Sequence, residues 1–329
     1  MQSEKHLRAC VWLLAATAIW GISFTFIKAT ALAQEKLIPG MSSVFFASVL
    51  SVVRFGVSAV ILALVYFRTL HRTTRLEWEQ GLGLGLFGGL GIVFQMDGLA
   101  QENLPASTSA FLTQFYCLLI PLWVALRTRA LPRFVVFLSL VTVLIGVAIL
   151  SNFDWHQFKM GRGEVETLIS AFFFAGQILW LERPRYARNR VSHFSIVMFA
   201  SIALLSLPVG MLTAPTGYGL FHAYGSQEVL VLAGVIVLAC TLLAYTVMNI
   251  WQPHVTATEA GLIYCVEPLY ASIFALFIPG WLSRFAHIDY ANEKVTWHLL
   301  VGGGLITAAN VLIQIQAMLV RRRVEAAKK

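Results

Sequence analysis

Charge is what this chain has least of. Of its 329 residues only 12% are charged, and just 16 are acidic. Soluble domains carry roughly 25% charged residues, so a water-soluble enzyme or nucleic-acid binder of this length is excluded. Cysteine is also scarce. Cys10, Cys117, Cys240 and Cys265 stand in or beside apolar stretches, with no CxxC among them. That excludes a disulfide scaffold and a structural zinc site, and the four read as buried free thiols. HExxH, GxSxG and GK[ST] are all missing, so neither catalysis nor a cofactor is expected. Period-2 alternation over ten-residue pieces is absent too, which excludes a membrane barrel.

What remains is apolar. Hydrophobic residues make up 58% of the chain, and the mean hydropathy is +0.75. A span needs about 20 mostly apolar residues to cross a hydrocarbon core of about 30 Å. Ten runs meet that need: 10–32, 43–67, 79–100, 106–127 and 133–151, then 164–182, 193–213, 228–250, 257–281 and 296–319. The fold expected is an all-α integral membrane protein of ten transmembrane helices. Ala31-Leu32-Ala33 has the form of a signal cleavage site. The apolar run before it is longer than the roughly 7–15 residues of a signal peptide core, so it reads as an uncleaved first span.

Basic residues set the orientation. With the N-terminus in the cytoplasm, only Lys36, Lys159, Arg162, Arg284 and Lys294 fall on the far side, and Lys28 and Arg54 fall inside spans. The other seventeen of the 24 lysines and arginines are cytoplasmic. Both termini are therefore expected in the cytoplasm of a bacterial-type cytoplasmic (inner) membrane. The basic pI of about 9.5 reflects topology, not a nucleic-acid partner.

The two halves echo each other. Ser107-Thr108-Ser109-Ala110 leads to Pro121-Leu122-Trp123, and Thr256-Ala257-Thr258-Glu259-Ala260 leads to Pro268-Leu269-Tyr270. Aligning the prolines superposes Ala110 on Ala257. Five spans is an odd number, so the second half must enter the membrane upside down. Inverted repeats of this kind characterise transporters, with a site near the midplane. The expected division is residues 1–151 and 164–323 as inverted five-helix repeats, with 324–329 a cytoplasmic tail.

Five motifs then point to a family. Trp20-Gly21-Ile22-Ser23-Phe24 precedes Lys28, Arg54-Phe55 follows, and the glycine-rich third span runs into Asp97-Gly98-Leu99-Ala100. Glu267-Pro268 stands in the ninth span, and Glu293 precedes Gly302-Gly303-Gly304. Taken in this order on ten spans, they resemble the EamA-type members of the drug/metabolite transporter superfamily. The resemblance implies two inverted repeats around a central cavity, with Trp20 and Gln177 near it. Half one has Ile120 where half two has Glu267.

Ionisable groups inside a bilayer cost about 2.5–3.5 kcal/mol each and need partners or a wet cavity. Lys28 and Arg54 read as members of structural ion pairs, with Lys28 expected to meet Asp97. Glu267 and Asp97 read as acids for a proton or a cationic substrate group. Pro268 would free the carbonyl of Tyr264, and Pro121 that of Cys117, because proline lacks the N–H four residues on. Carboxyl, freed carbonyl and the Tyr264 phenol would make one binding corner. Gln95, Gln114, Tyr116, Gln177, Tyr245, Asn249, Asn310 and Gln314 are polar groups at depth, and Trp20, Phe94, Tyr116 and Trp180 are aromatics able to line a cavity. Glu259 reads as the acid of a capping box. Gly81, Gly85 and Gly89, with Gly83, Gly88 and Gly91 beside them, read as close helix packing.

The function expected is a secondary transporter, an exporter by preference, of small metabolites such as amino acids or organic cations, with protons as a candidate coupling ion. One alternative is a sugar-phosphate or nucleotide-sugar transporter in which Lys28 and Arg54 bind the anion. Another is a non-transporting membrane scaffold.

Overall fold

The computed structural model describes residues 2–101, 103–128, 134–150, 160–181, 183–214, 219–255 and 263–326. Its first helix, α1, is Gln2–Leu37. Then come α2 (Ser43–Val65) and α3 (Arg75–Ala100). The next apolar run is broken into α4 (Ala106–Thr113) and α5 (Tyr116–Thr128), followed by α6 (Phe134–Leu150). α7 is Arg162–Leu181, α8 is Val191–Thr213 and α9 is Gln227–Trp251, with a π turn over Ile236–Leu243. α10 (Glu267–Phe277) meets α11 (Pro279–Ala286) at a bend of 53°, and α12 is Trp297–Ala326.

The starts of these helices follow from their caps. Ser42 accepts from the Phe45 amide to start α2, and Ser226 accepts from the Val229 amide to start α9. Thr74 and Glu77 form a reciprocal capping box at the start of α3, satisfying amides that have no partner inside the helix. α4 starts at Pro105 without a side-chain cap of its own. Glu293, from the distant connection before α12, accepts instead from the amides of Ala106 (2.7 Å) and Ser107 (3.3 Å) and from the Ser107 hydroxyl. A carboxylate at a helix N-terminus also meets the positive end of its dipole. The Thr256–Glu259 capping box expected from the sequence lies outside the described residues.

Among the described residues, six helices are long and apolar enough to cross a membrane, and the bent pair α10–α11 makes a seventh. Shorter apolar helices run Ala106–Ile120, Phe137–Leu150 and Trp297–Leu312. The molecule is thus an all-α multi-pass membrane protein. Ten full spans are more than length and apolarity establish. The fourth run is interrupted by a turn at Gln114 and Phe115, and α6 has 17 residues, short of the usual span.

Glycine decides the packing of α3. Gly81, Gly85 and Gly89 face Val197, Ser201 and Ile202 of α8. Gly83, Gly88 and Gly91 receive Trp180, Gln177 and Phe174 of α7. One helix therefore carries two small-residue faces and binds two neighbours closely. α2 lies along α8, α6 along α12, and α1 against α9 and α10. Where α6 crosses α12, a Cβ added to Gly302 would come within 2.8 Å of the Gly146 carbonyl oxygen. All four cysteines are free, and all but Cys10 are buried.

Candidate functional site

The break ahead of α10 builds the centre of the site. Pro268 stands in the first turn of α10, where its missing N–H costs nothing within the helix. The helical turn before it ends at Cys265 and Val266. The Tyr264 carbonyl, which the sequence expects to be freed, accepts a hydrogen bond from Gln114 Nε2 at 3.2 Å. The same Nε2 donates to Glu267 Oε2 at 3.2 Å. Gln114 itself sits at the break between α4 and α5 and is buried. The amide of one broken helix thus joins the carbonyl and the carboxylate of another. Its backbone carbonyl faces Asn310 of α12, whose Nδ2 lies 3.5 Å away.

Aromatic rings continue the site from there. Trp20 packs edge-on against Tyr264 (centroids 5.7 Å apart) and Tyr245 (5.4 Å). Tyr245 meets Phe55 at 6.3 Å and Phe199 at 5.7 Å. Tyr116 is buried with Cys117, Cys265, Ala171 and Ala175, within electrostatic reach of Glu267. Tyr245 lies within such reach of both Glu267 and Arg54. The Tyr264 phenol donates to Gln252 Oε1 at 2.9 Å. It frames the site through its ring and its carbonyl.

Arg54 departs from the expected ion pair. It is 3% exposed and, among the described residues, meets no carboxylate. Its Nε donates to Thr241 Oγ1 at 2.6 Å and its Nη2 to the Cys240 carbonyl at 3.3 Å, while its guanidinium lies 5.2 Å from the Phe55 ring centroid. Both oxygen acceptors belong to the π turn of α9. Widening the helix there spoils the regular backbone pattern and leaves acceptors for a side chain, as such turns commonly do at functional positions.

The predicted contact between Lys28 and Asp97 is also corrected. Lys28 donates to the carbonyls of Gln101 (3.2 Å) and Leu104, so it closes the C-terminal end of α3, where a cation suits the dipole. Asp97 pairs with Arg162 Nη2 at 2.9 Å. Arg162 also binds Glu166 through Nε at 2.6 Å.

Five more candidates make contacts other than with Glu267. Gln95 donates to Thr113 at 3.0 Å. Gln177 lies against Gly88, with its Nε2 3.9 Å from Met198 Sδ. Trp180 fills the space over Gly83 and stacks under Arg183, 3.7 Å from the ring centroid. Gln177 and Trp180 therefore belong to the α3–α7 seam. Phe94 stacks on Phe173 of α7 at 5.8 Å, and Asn249 bonds Ser195 at 2.9 Å.

At the other end of α3 lies a polar cluster that sequence reasoning missed. Glu77 takes Arg190 Nε and the Arg190 amide, each at 2.9 Å, and lies 3.7 Å from His193 Nδ1. The carboxylate raises the Arg190 guanidinium further above its ordinary pKa. Glu79 pairs with Arg185 and accepts from the Tyr186 hydroxyl at 2.8 Å. Partial burial and that carboxylate together raise the Tyr186 phenol. The signal for this cluster was the capping-box pattern of Thr74 and Glu77 facing the basic connection before α8.

No protein-family model matches the chain, and no curated protein does either. A solved crystal structure of a protein aligns over 94% of this chain and 98% of its own length, with a TM-score of 0.55 at 17% identity. At that identity the likeness is one of fold.

Proposed function

We propose that this protein is a secondary transporter of small zwitterionic or cationic metabolites, amino acids above all. It would work by alternating access between two inverted five-helix halves, in the manner of the EamA-type transporters its motifs resemble. One observation carries the reading: a lone acid, Glu267, at the start of a broken helix, with aromatic rings between it and an arginine that has no carboxylate partner among the described residues. Discontinuous helices are the usual makers of transporter sites, because their freed backbone groups need a polar, wet surrounding. A substrate ammonium suits Glu267 and the ring faces, and a substrate carboxylate suits Arg54. No bound group does the work of a cofactor in this reading, and no bond is made or broken.

The packing supports the halves. If the shorter apolar helices complete ten spans, a shift of five spans carries the α3–α7 contact onto α9–α1. The same shift carries the α1–α10 contact onto the contacts of α7 with α4 and α5, and leaves α2–α8 and α6–α12 mapped on themselves. The charge asymmetry of the connections then puts both termini in the cytoplasm.

Counterflow into liposomes, with amino acids, amines and sugar phosphates offered in parallel, tests the proposal. Exchange of amino acids or amines is the expected result. Exchange confined to sugar phosphates would transfer the site to an anion reading, and exchange of nothing would contradict transport.

A further inference from the structure

A second acid site lies where α3 finishes and α7 begins, apart from the Glu267 group. Asp97 is 4% exposed and Glu166 9%. One guanidinium serves both: Arg162 Nη2 reaches Asp97 Oδ2 at 2.9 Å and Arg162 Nε reaches Glu166 Oε1 at 2.6 Å. Each carboxylate keeps one buried oxygen with no donor, Asp97 Oδ1 and Glu166 Oε2. Buried polar atoms are rarely left so.

The surroundings offer no described donor to fill the gap. From α1, Lys28 is directed to the Gln101 and Leu104 carbonyls. From α4 come only hydroxyls, with Ser109 3.4 Å from Thr167. Glu164, on the same turn of α7, lies beside Gly161. Arg162 is the cation that Glu166 meets among the described residues. Two carboxylates and one guanidinium leave an uncompensated negative charge in a buried place, which is costly. A single proton would remove that charge and supply the missing donor.

The backbones tie this chemistry to helix position. A Cβ on Gly98 would come within 2.7 Å of the Gly163 carbonyl oxygen, and one on Gly163 within 2.8 Å of that of Gly98. α3 and α7 therefore touch backbone to backbone beside the pair.

We propose that Asp97 and Glu166 share one proton, forming a latch that holds α3 to α7 while protonated and loosens when the proton leaves to water. Arg162, whose side chain is 57% exposed, marks the side from which water reaches the pair. The proton site stands on this geometry alone; only the meaning of the movement rests on the proposed transport.

Infrared spectra of the full-length protein in lipid nanodiscs test it, recorded in acidic and in alkaline buffer. Wild type should show the carbonyl band of one protonated carboxylic acid that disappears on alkalinisation. Glu267→Gln should keep that band, which separates it from any proton on Glu267, and Glu166→Gln should lack it. In the same buffers the thermal midpoint of wild type should fall as pH rises, since a group holding its proton more firmly when folded loses that stability once deprotonated. Glu166→Gln should hold its acidic-pH midpoint in both buffers, because its amide donates where the proton did. A band that vanishes in Glu267→Gln but persists in Glu166→Gln would overturn the proposal, as would a Glu166→Gln midpoint with the wild-type pH dependence. If no substrate exchanges in liposomes while the band behaves as described, the transport reading falls and the proton site remains.

Discussion

Gln114 does for the Tyr264 carbonyl what a backbone amide would have done in an unbroken helix. Its Nε2 is shared between that carbonyl and Glu267, at 3.2 Å each. Replacing it by leucine leaves a buried acceptor and a buried carboxylate without their donor. Gln114→Leu should therefore lower stability by about 1–3 kcal/mol, read as a fall in thermal midpoint that Gln114→Asn only partly avoids. Lys28 and Asp97 answer to different partners, one to carbonyls after α3 and the other to Arg162. Losses from Lys28→Met and Asp97→Asn should add within about 0.5 kcal/mol, and strong coupling between them would contradict the separation. At this scale the sequence was informative about backbone and silent about partners. Proline chemistry at Pro268 announced the free Tyr264 carbonyl, but nothing in one dimension says that Gln114 lies beside it. Arg162 was counted as a loop charge because the sixth apolar run was drawn from 164, whereas its helix begins at Arg162 itself.

Helices explain which glycines matter. α12 holds Gly302, with the Gly146 carbonyl oxygen 2.8 Å from where a Cβ would sit, and Gly304, with nothing within 4 Å of such an atom. Gly302→Ala should force α6 and α12 apart and destabilise by about 1–3 kcal/mol, the usual cost of overpacking. Gly304→Ala should stay within about 0.5 kcal/mol of wild type, as surface changes do. Unfolding both variants in the same detergent compares them, and equal losses would contradict the crossing. The glycine spacing in α3 was legible as close packing. That its two faces serve α7 and α8 separately was not, because periodicity tells which side of a helix is small but not what arrives there. Helix breaks were read only in part. The proline in the ninth run signalled one, while the turn at Gln114 and Phe115 has no breaker residue and shows as backbone amides that bond carbonyls three residues back.

The whole molecule is held at both ends of α3, by Asp97 with Arg162 and Glu166 at one and by Glu77 with Arg190 at the other. An alternating-access carrier needs such contacts to part in turn. Membrane class was the most legible property of all, since apolar content and low charge leave no other solution. The orientation rests on lysine and arginine placement. In a Cys10→Ser background, a cysteine at Gln227 should react with an impermeant maleimide from outside intact cells, and one at Arg188 should not. The reverse pattern would undo the cytoplasmic placement of the termini. The central claim, that Glu267 is the acid through which substrate or proton is carried, is tested most directly by counterflow per folded protein in liposomes. Wild type and Glu267→Gln are compared at two pH values with whichever amino acid or amine exchanges. The account predicts that Glu267→Gln folds, keeps its thermal midpoint near that of wild type, and either loses exchange at both pH values or exchanges with no pH response. Exchange at the wild-type rate with the wild-type pH response would contradict it.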